Sequence, residues 1–140
     1  MKAHQWQQEP TTGVDVLIDE DVSEAFLEAF IYAVMADCVD KTLVKIGRAS
    51  SVRQRMNEFQ VCCPFPIRQV YACNVITTKR SVSKEKAMHK MYMGRHFRGE
   101  WFDVWGGIAS GDQIKAFEES MIGVAKDGAE FEVYAYRFVS

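Results

Sequence analysis

The sequence predicts an α+β fold: a small antiparallel sheet flanked by helices, with a helix and a strand added at the C-terminal end. Short runs rich in β-branched and aromatic residues, FIYAVM (30–35), TLVKIG (42–47) and IRQVYACNVI (67–76), alternate with stretches whose apolar residues recur at helical spacing. The first two runs are joined by a few residues of ADCVDK, which is enough to close an antiparallel hairpin and too little for a parallel crossover. A chain of 140 residues, 48% of them hydrophobic, suits one core, so residues 1–140 are read as a single domain. Within it, residues 30–104 form the core, 1–29 an acidic N-terminal extension and 105–140 a helix–strand extension.

Each element has its local reason. Asp21 or Ser23 can cap a short helix running to about Glu28. Gly47 ends the second strand, Ser50 or Ser51 can cap the next helix, and Val52, Met56 and Phe59 fall at i, i+4 and i+7, the stripe of a helix lying on a core. CCPFP then stops that helix, because proline lacks a donor and restrains the residue before it. Residues 81–94 read as the strongest helix, with Ser81 or Ser83 as cap, Ala87, Met88 and Met91 on the core side and Gly94 as stop. EWFDV suggests a short strand, residues 112–125 an amphipathic helix, and FEVYAYRF (131–138) the last strand.

Charge divides the chain. The formal net charge is −2, yet residues 41–98 hold thirteen Lys and Arg against two acids, a net of +11, while the remainder holds four basic and seventeen acidic residues, −13. A basic middle between acidic flanks suits a polyanion such as DNA; the flanks could balance it as intramolecular ion pairs or recruit a protein partner. The cysteines, Cys38, Cys62, Cys63 and Cys73, match no zinc spacing and read as reduced thiols. No apolar run reaches the roughly 20 residues of a membrane span and the N-terminus has no secretion-signal core, so the expected location is cytoplasmic, in a bacterial or phage-infected cell, or nuclear in a eukaryote.

Two places concentrate chemistry. KIGRASSVRQR (45–55) gathers Lys45, Arg48, Arg53 and Arg55 around a turn and the start of a helix. Glu85, His89 and Tyr92, at i, i+4 and i+7, project from one side of the later helix, aligning a carboxylate, an imidazole and a phenol.

The order FIYAV, KIG, Arg55 on the next helix, Glu85-Lys-Ala-Met-His89 and GEWF (99–102) resembles the GIY-YIG nuclease superfamily, and within it the branch of many phage proteins and fungal meiotically up-regulated proteins. The resemblance spans about residues 30–104. It implies a three-stranded antiparallel sheet with flanking helices and cleavage of DNA phosphodiesters with one divalent metal, Mg²⁺ or Mn²⁺. It places Tyr32 as general base or water-orienting group, Arg55 on the phosphate and Glu85 as metal ligand. Lys45 stands where many members have tyrosine, and GEWF where many carry an asparagine.

Chemistry agrees with these assignments. Hydrolysis of a phosphodiester requires an oriented, deprotonated water and stabilisation of charge on the phosphoryl and leaving oxygens. A guanidinium pairs bidentately with phosphate, and Arg48 and Arg53 can add backbone contacts. A phenol of pKa about 10 ionises near neutrality only beside positive charge, which Lys45 could supply. His89 could relay a proton, or simply donate to a backbone carbonyl. The alternative function is a catalytically inactive nucleic-acid-binding or regulatory module.

Overall fold

The computed structural model describes residues 7–9, 29–52, 54–55, 58–59, 63–129 and 133–139. Its strands are β1 (Gln7–Glu9), β2 (Phe30–Cys38), β3 (Lys41–Ala49), β4 (Ile67–Asn74), β5 (His96–Arg98), β6 (Trp101–Phe102) and β7 (Ala135–Val139), and its long helices are α1 (Thr78–Met91) and α2 (Gly111–Lys126). Between β3 and β4, Val52, Gln54, Arg55, Glu58 and Phe59 are helical. The described strands form one antiparallel sheet in the order β1-β7-β4-β2-β3-β6-β5.

The sheet is therefore wider than the three strands expected. The expected three, β3-β2-β4, are its centre, β2 and β3 pairing from Phe30↔Ala49 to Cys38↔Lys41 and β2 and β4 from Phe30↔Asn74 to Ala36↔Ile67. β7 extends the β4 side, with Tyr71 opposite Arg137, and the β5–β6 hairpin extends the β3 side, with Lys45 opposite Trp101. A central strand has two ladder edges to satisfy, so β3 and β4 need outer partners that local patterning does not disclose.

Alternation along the central strands sorts the core into two layers. Ile31, Ala33, Met35, Val44, Ile46, Tyr71 and Cys73 face α1 and α2, meeting Met88, Ile114, Phe117 and Met121. Phe30, Tyr32, Val34, Val70 and Ala72 face the other way, onto Val52, Phe59, Tyr136 and Phe138. Full burial of one large apolar side chain contributes about 1.5–3 kcal/mol, so both layers hold the central strands in place.

Two boundaries move. α1 begins one turn earlier than expected because Thr77, not Ser81 or Ser83, is its N-cap, accepting from the Arg80 N–H at 3.2 Å. Ser81 lies buried inside the helix, its hydroxyl donating to the Thr78 carbonyl at 2.7 Å. The helix ends before Gly94, at Met91, and passes into a 3₁₀ turn, Met93–Arg95. Of its three expected core residues only Met88 is buried; Ala87 and Met91 are exposed. α2 fits its expected span and starts with a capping box, Ser110 with Gln113. The expected helix before Glu28 lies outside the described residues. Among those described, no helix is long and apolar enough to cross a membrane.

Candidate nucleic-acid cleavage site

The site forms where β3 loses its outer neighbour. β6 pairs only with Val44 and Lys45, so the later part of β3 presents an open edge, and α1 runs along it. Ile46 is the junction: its N–H donates to the Glu100 carbonyl at 3.1 Å, and its carbonyl accepts from His89 Nε2 at 2.8 Å. Because a carbonyl can only accept, His89 carries a proton on Nε2 in this contact.

Around this edge opens a cleft of about 560 Å³, lined among others by Tyr32, Lys45, Arg48, Arg55, Glu85 and Glu100. The elements that carry them are distinct: β2, β3, the helical segment after β3, α1 and the β5–β6 turn. Arg48 shares its face of β3 with Ile46, the α1 side, whereas Lys45 and Gly47 share the Tyr32 side. The cleft thus wraps around a strand edge rather than lying on one face.

Gly47 makes room for the phenol. Tyr32 sits opposite Gly47 in the ladder, and a Cβ there would lie 2.5 Å from the Tyr32 hydroxyl and 2.6 Å from Cζ. The Tyr32 ring is held from its other side by Phe59, with centroids 5.0 Å apart. Tyr32 is only 4% exposed, and among the described residues its hydroxyl has no hydrogen-bond partner.

Burial pushes the Tyr32 phenol up to about 12, Glu100 pushes the same way, and Arg55 pulls against them without prevailing. Among the leading groups that act on the Tyr32 phenol, Arg55 is the one that lowers it. Lys45 places its Nζ 5.8 Å from the centroid of the Phe59 ring. The Glu85 carboxyl is also pushed up, first by burial and then by Glu100, while His89 and Arg48 pull it down.

The cleft brings together Tyr32, Lys45, Arg48, Arg55 and Glu85. His89 lies one turn beyond Glu85, engaged with the β3 backbone, its ring tilted against Phe102 with centroids 5.3 Å apart. Arg53 lies outside the described residues. Arg55 is exposed and pairs with Glu58 at 2.9 Å, a surface contact worth under about 1 kcal/mol that a phosphate can displace. Tyr92 turns into the fold, 5.2 Å from Phe117.

One residue of the cleft escaped the sequence reading. Glu100 lies within GEWF, whose backbone pairing with β3 and place beside Tyr32 and Glu85 depend on a hairpin that local patterning does not disclose. The available signal was a lone carboxylate beside a glycine at the end of a basic segment. Gly99 adopts φ +57°, a left-handed turn that suits glycine.

Among the described residues, no group of three or more His, Cys, Asp or Glu is placed to hold a metal. Such a set would suit Zn²⁺ or a protein-caged Ca²⁺. A carboxylate in an open polar cleft suits Mg²⁺ or Mn²⁺, which keep much of their water, so the donor chemistry fits a hydrated hard cation. In comparisons with known proteins, residues 29–119 match the T5orf172 domain. No curated protein and no solved structure matches the chain.

Proposed function

The chain belongs to the T5orf172 domain family, a phage-associated and endonuclease-related group, and from that membership and the cleft we propose that it is a divalent-metal-dependent DNA endonuclease of GIY-YIG type. One observation carries this reading: Glu85, Tyr32 and the three cations Lys45, Arg48 and Arg55, brought from four elements, line a single cleft at an open strand edge.

In this reading Arg55 leaves Glu58 to clasp a non-bridging phosphate oxygen pair, and its planar fork keeps that contact as charge grows on the phosphoryl group. Arg48 and Lys45, on opposite sides of the β3 edge, hold the neighbouring backbone. Arg53 lies close to Arg55 in sequence and adds a flanking phosphate contact. Glu85 would hold the metal, Mg²⁺ or Mn²⁺, which when bound would make a coordinated water more acidic and supply positive charge for the phosphate.

Tyr32, with its phenol pushed up to about 12 before any metal binds, keeps its proton at neutral pH, and its oxygen accepts from the attacking water or its O–H donates to a phosphate oxygen. A divalent cation bound beside the phenol would lower its pKa and favour the general-base role instead. His89 holds the Glu85 turn of α1 against β3. The attacking water gives up its proton to solvent and the leaving 3′ or 5′ oxygen takes one from it, since the cleft is open.

The test is incubation of wild type and Glu85→Ala with supercoiled plasmid in Mg²⁺, in Mn²⁺ and in EDTA, with DNA binding measured on both. Metal-dependent nicking by wild type, lost in the variant while binding persists, is expected. Binding without cleavage by wild type under every metal would overturn the nuclease and leave an inactive nucleic-acid-binding module.

A further inference from the structure

The cleft holds a second carboxylate, Glu100, whose backbone is bonded to the same β3 residue that His89 of α1 engages. Ile46 donates its N–H to the Glu100 carbonyl and accepts from His89, one turn along α1 from Glu85. The two carboxylate-bearing elements are thus tied to one residue of β3, from a hairpin on one side and a helix on the other. Both side chains line the cleft, together with Tyr32.

We propose that Glu100 is a second ligand of the divalent cation, so that Glu85 and Glu100 together bind one hydrated Mg²⁺ or Mn²⁺ with the Tyr32 hydroxyl oxygen accepting from a bound water. This rests on the nuclease reading of the cleft and assigns its metal site more fully.

Three observations support it. Two like charges sharing a cleft repel, and a divalent cation between them converts the repulsion into attraction. Tyr32 is 4% exposed and lines the cleft, and among the described residues its hydroxyl has no partner, so it is open to a water held there. Glu100 is held by a ladder bond to β3 rather than carried on a free loop, which limits the ordering needed on binding. Mg²⁺ is commonly held by one or two carboxylates and substrate phosphates, with waters completing the shell, and two fit within that range.

His89 follows as a positioning residue. Its Nε2–H clamps the Ile46 carbonyl, so its loss should loosen the spacing between Glu85 and Glu100 without removing a ligand.

The experiment titrates full-length protein with Mn²⁺ alone, read by electron paramagnetic resonance of free Mn²⁺. Wild type, Glu85→Gln, Glu100→Gln and His89→Ala are compared, with water-proton relaxation to count bound waters and plasmid nicking run in parallel. Thermal melts check folding; Glu100 is exposed and contributes its backbone carbonyl to β3, so Glu100→Gln should melt as wild type does. Expected is one Mn²⁺ per chain, weakened at least tenfold by either glutamine and a fewfold by His89→Ala. Residual Mn²⁺ on Glu100→Gln should carry about one more water than on wild type.

Glu100→Gln binding Mn²⁺ within twofold of wild type, while Glu85→Gln loses it and wild type nicks DNA, overturns the second ligand and leaves the nuclease intact. Wild type that neither binds Mn²⁺ nor nicks DNA overturns both.

Discussion

At the scale of single residues, the contact between Tyr32 and Gly47 decides whether the cleft exists. A methyl group at position 47 would lie within 2.6 Å of the ring, and the ring cannot retreat because Phe59 packs behind it. Gly47→Ala should therefore displace Tyr32 and cost about 1–3 kcal/mol of stability, as overpacking does. Nicking should fall at least a hundredfold, and chemical denaturation beside plasmid cleavage checks both. Tyr32 also predicts an alkaline effect. Its phenol is pushed up to about 12 from an ordinary value of 10. Between those values the unfolded chain releases the proton while the folded chain retains it, so stability present below pH 10 is lost as pH rises towards 12. Tyr32→Phe should flatten that loss in urea midpoints measured from pH 9 to 11.5; an unchanged slope would show that the phenol is not buried as described. Tyr32, Lys45, Arg48, Arg55 and Glu85 were legible because each sits in a short motif of fixed order. Glu100 was not, because its neighbours come from across a hairpin.

At the scale of elements, α1 shows why periodicity alone misassigns a face. The stripe turned towards the fold runs Ser81, Glu85, Met88, His89 and Tyr92, of which only Ser81 and Met88 are buried. The other three are half-buried because this helix borders a cleft and a strand edge rather than a dry core. The polar i, i+4, i+7 alignment was visible in the sequence; its inward orientation was not, since Ala87 and Met91 suggested an apolar face that the structure leaves in solvent. A parallel case joins α2 to the sheet. Glu118 on α2 is 3% exposed and accepts from Gln69 on β4 at 2.7 Å and from Arg137 on β7 at 2.8 Å through Nε, with Arg137 Nη2 on its second oxygen. A buried carboxylate with charged and neutral donors is invisible to hydrophobic patterning. Removing it strands the Arg137 charge at half depth, so Glu118→Ala should destabilise by about 3–5 kcal/mol, measurable by urea unfolding. Mn²⁺ affinity of the folded fraction should not change.

At the scale of the molecule, the +11 segment is two populations of cations with different work. Some hold the fold: Arg80 donates to the Ala125 carbonyl at 2.8 Å, Lys84 to the Asp127 carbonyl at 2.8 Å, and Arg68 to the Ala109 carbonyl at 2.6 Å. Arg80 and Lys84 thereby satisfy carbonyls at the C-terminal end of α2, where unpaired acceptors and the negative end of the helix dipole favour cations. Lys45, Arg48 and Arg55 line the cleft instead. Both populations look alike in a charge count, and only the paths of β7 and α2 separate them. Salt dependence of DNA binding should separate them in solution. Removing a single cation from a phosphate lowers the slope of log K against log salt by about 0.9 on duplex DNA. Arg48→Ala and Arg55→Ala should each flatten the slope by about that amount and leave the melting temperature within about a degree. Arg80→Ala should do the reverse: melting falls by roughly 3–6 °C as a charged hydrogen bond is removed, while the slope stays where it was. If Arg80→Ala flattens the slope as Arg55→Ala does, the cations act as one diffuse field and the cleft is not the place where the phosphates are held.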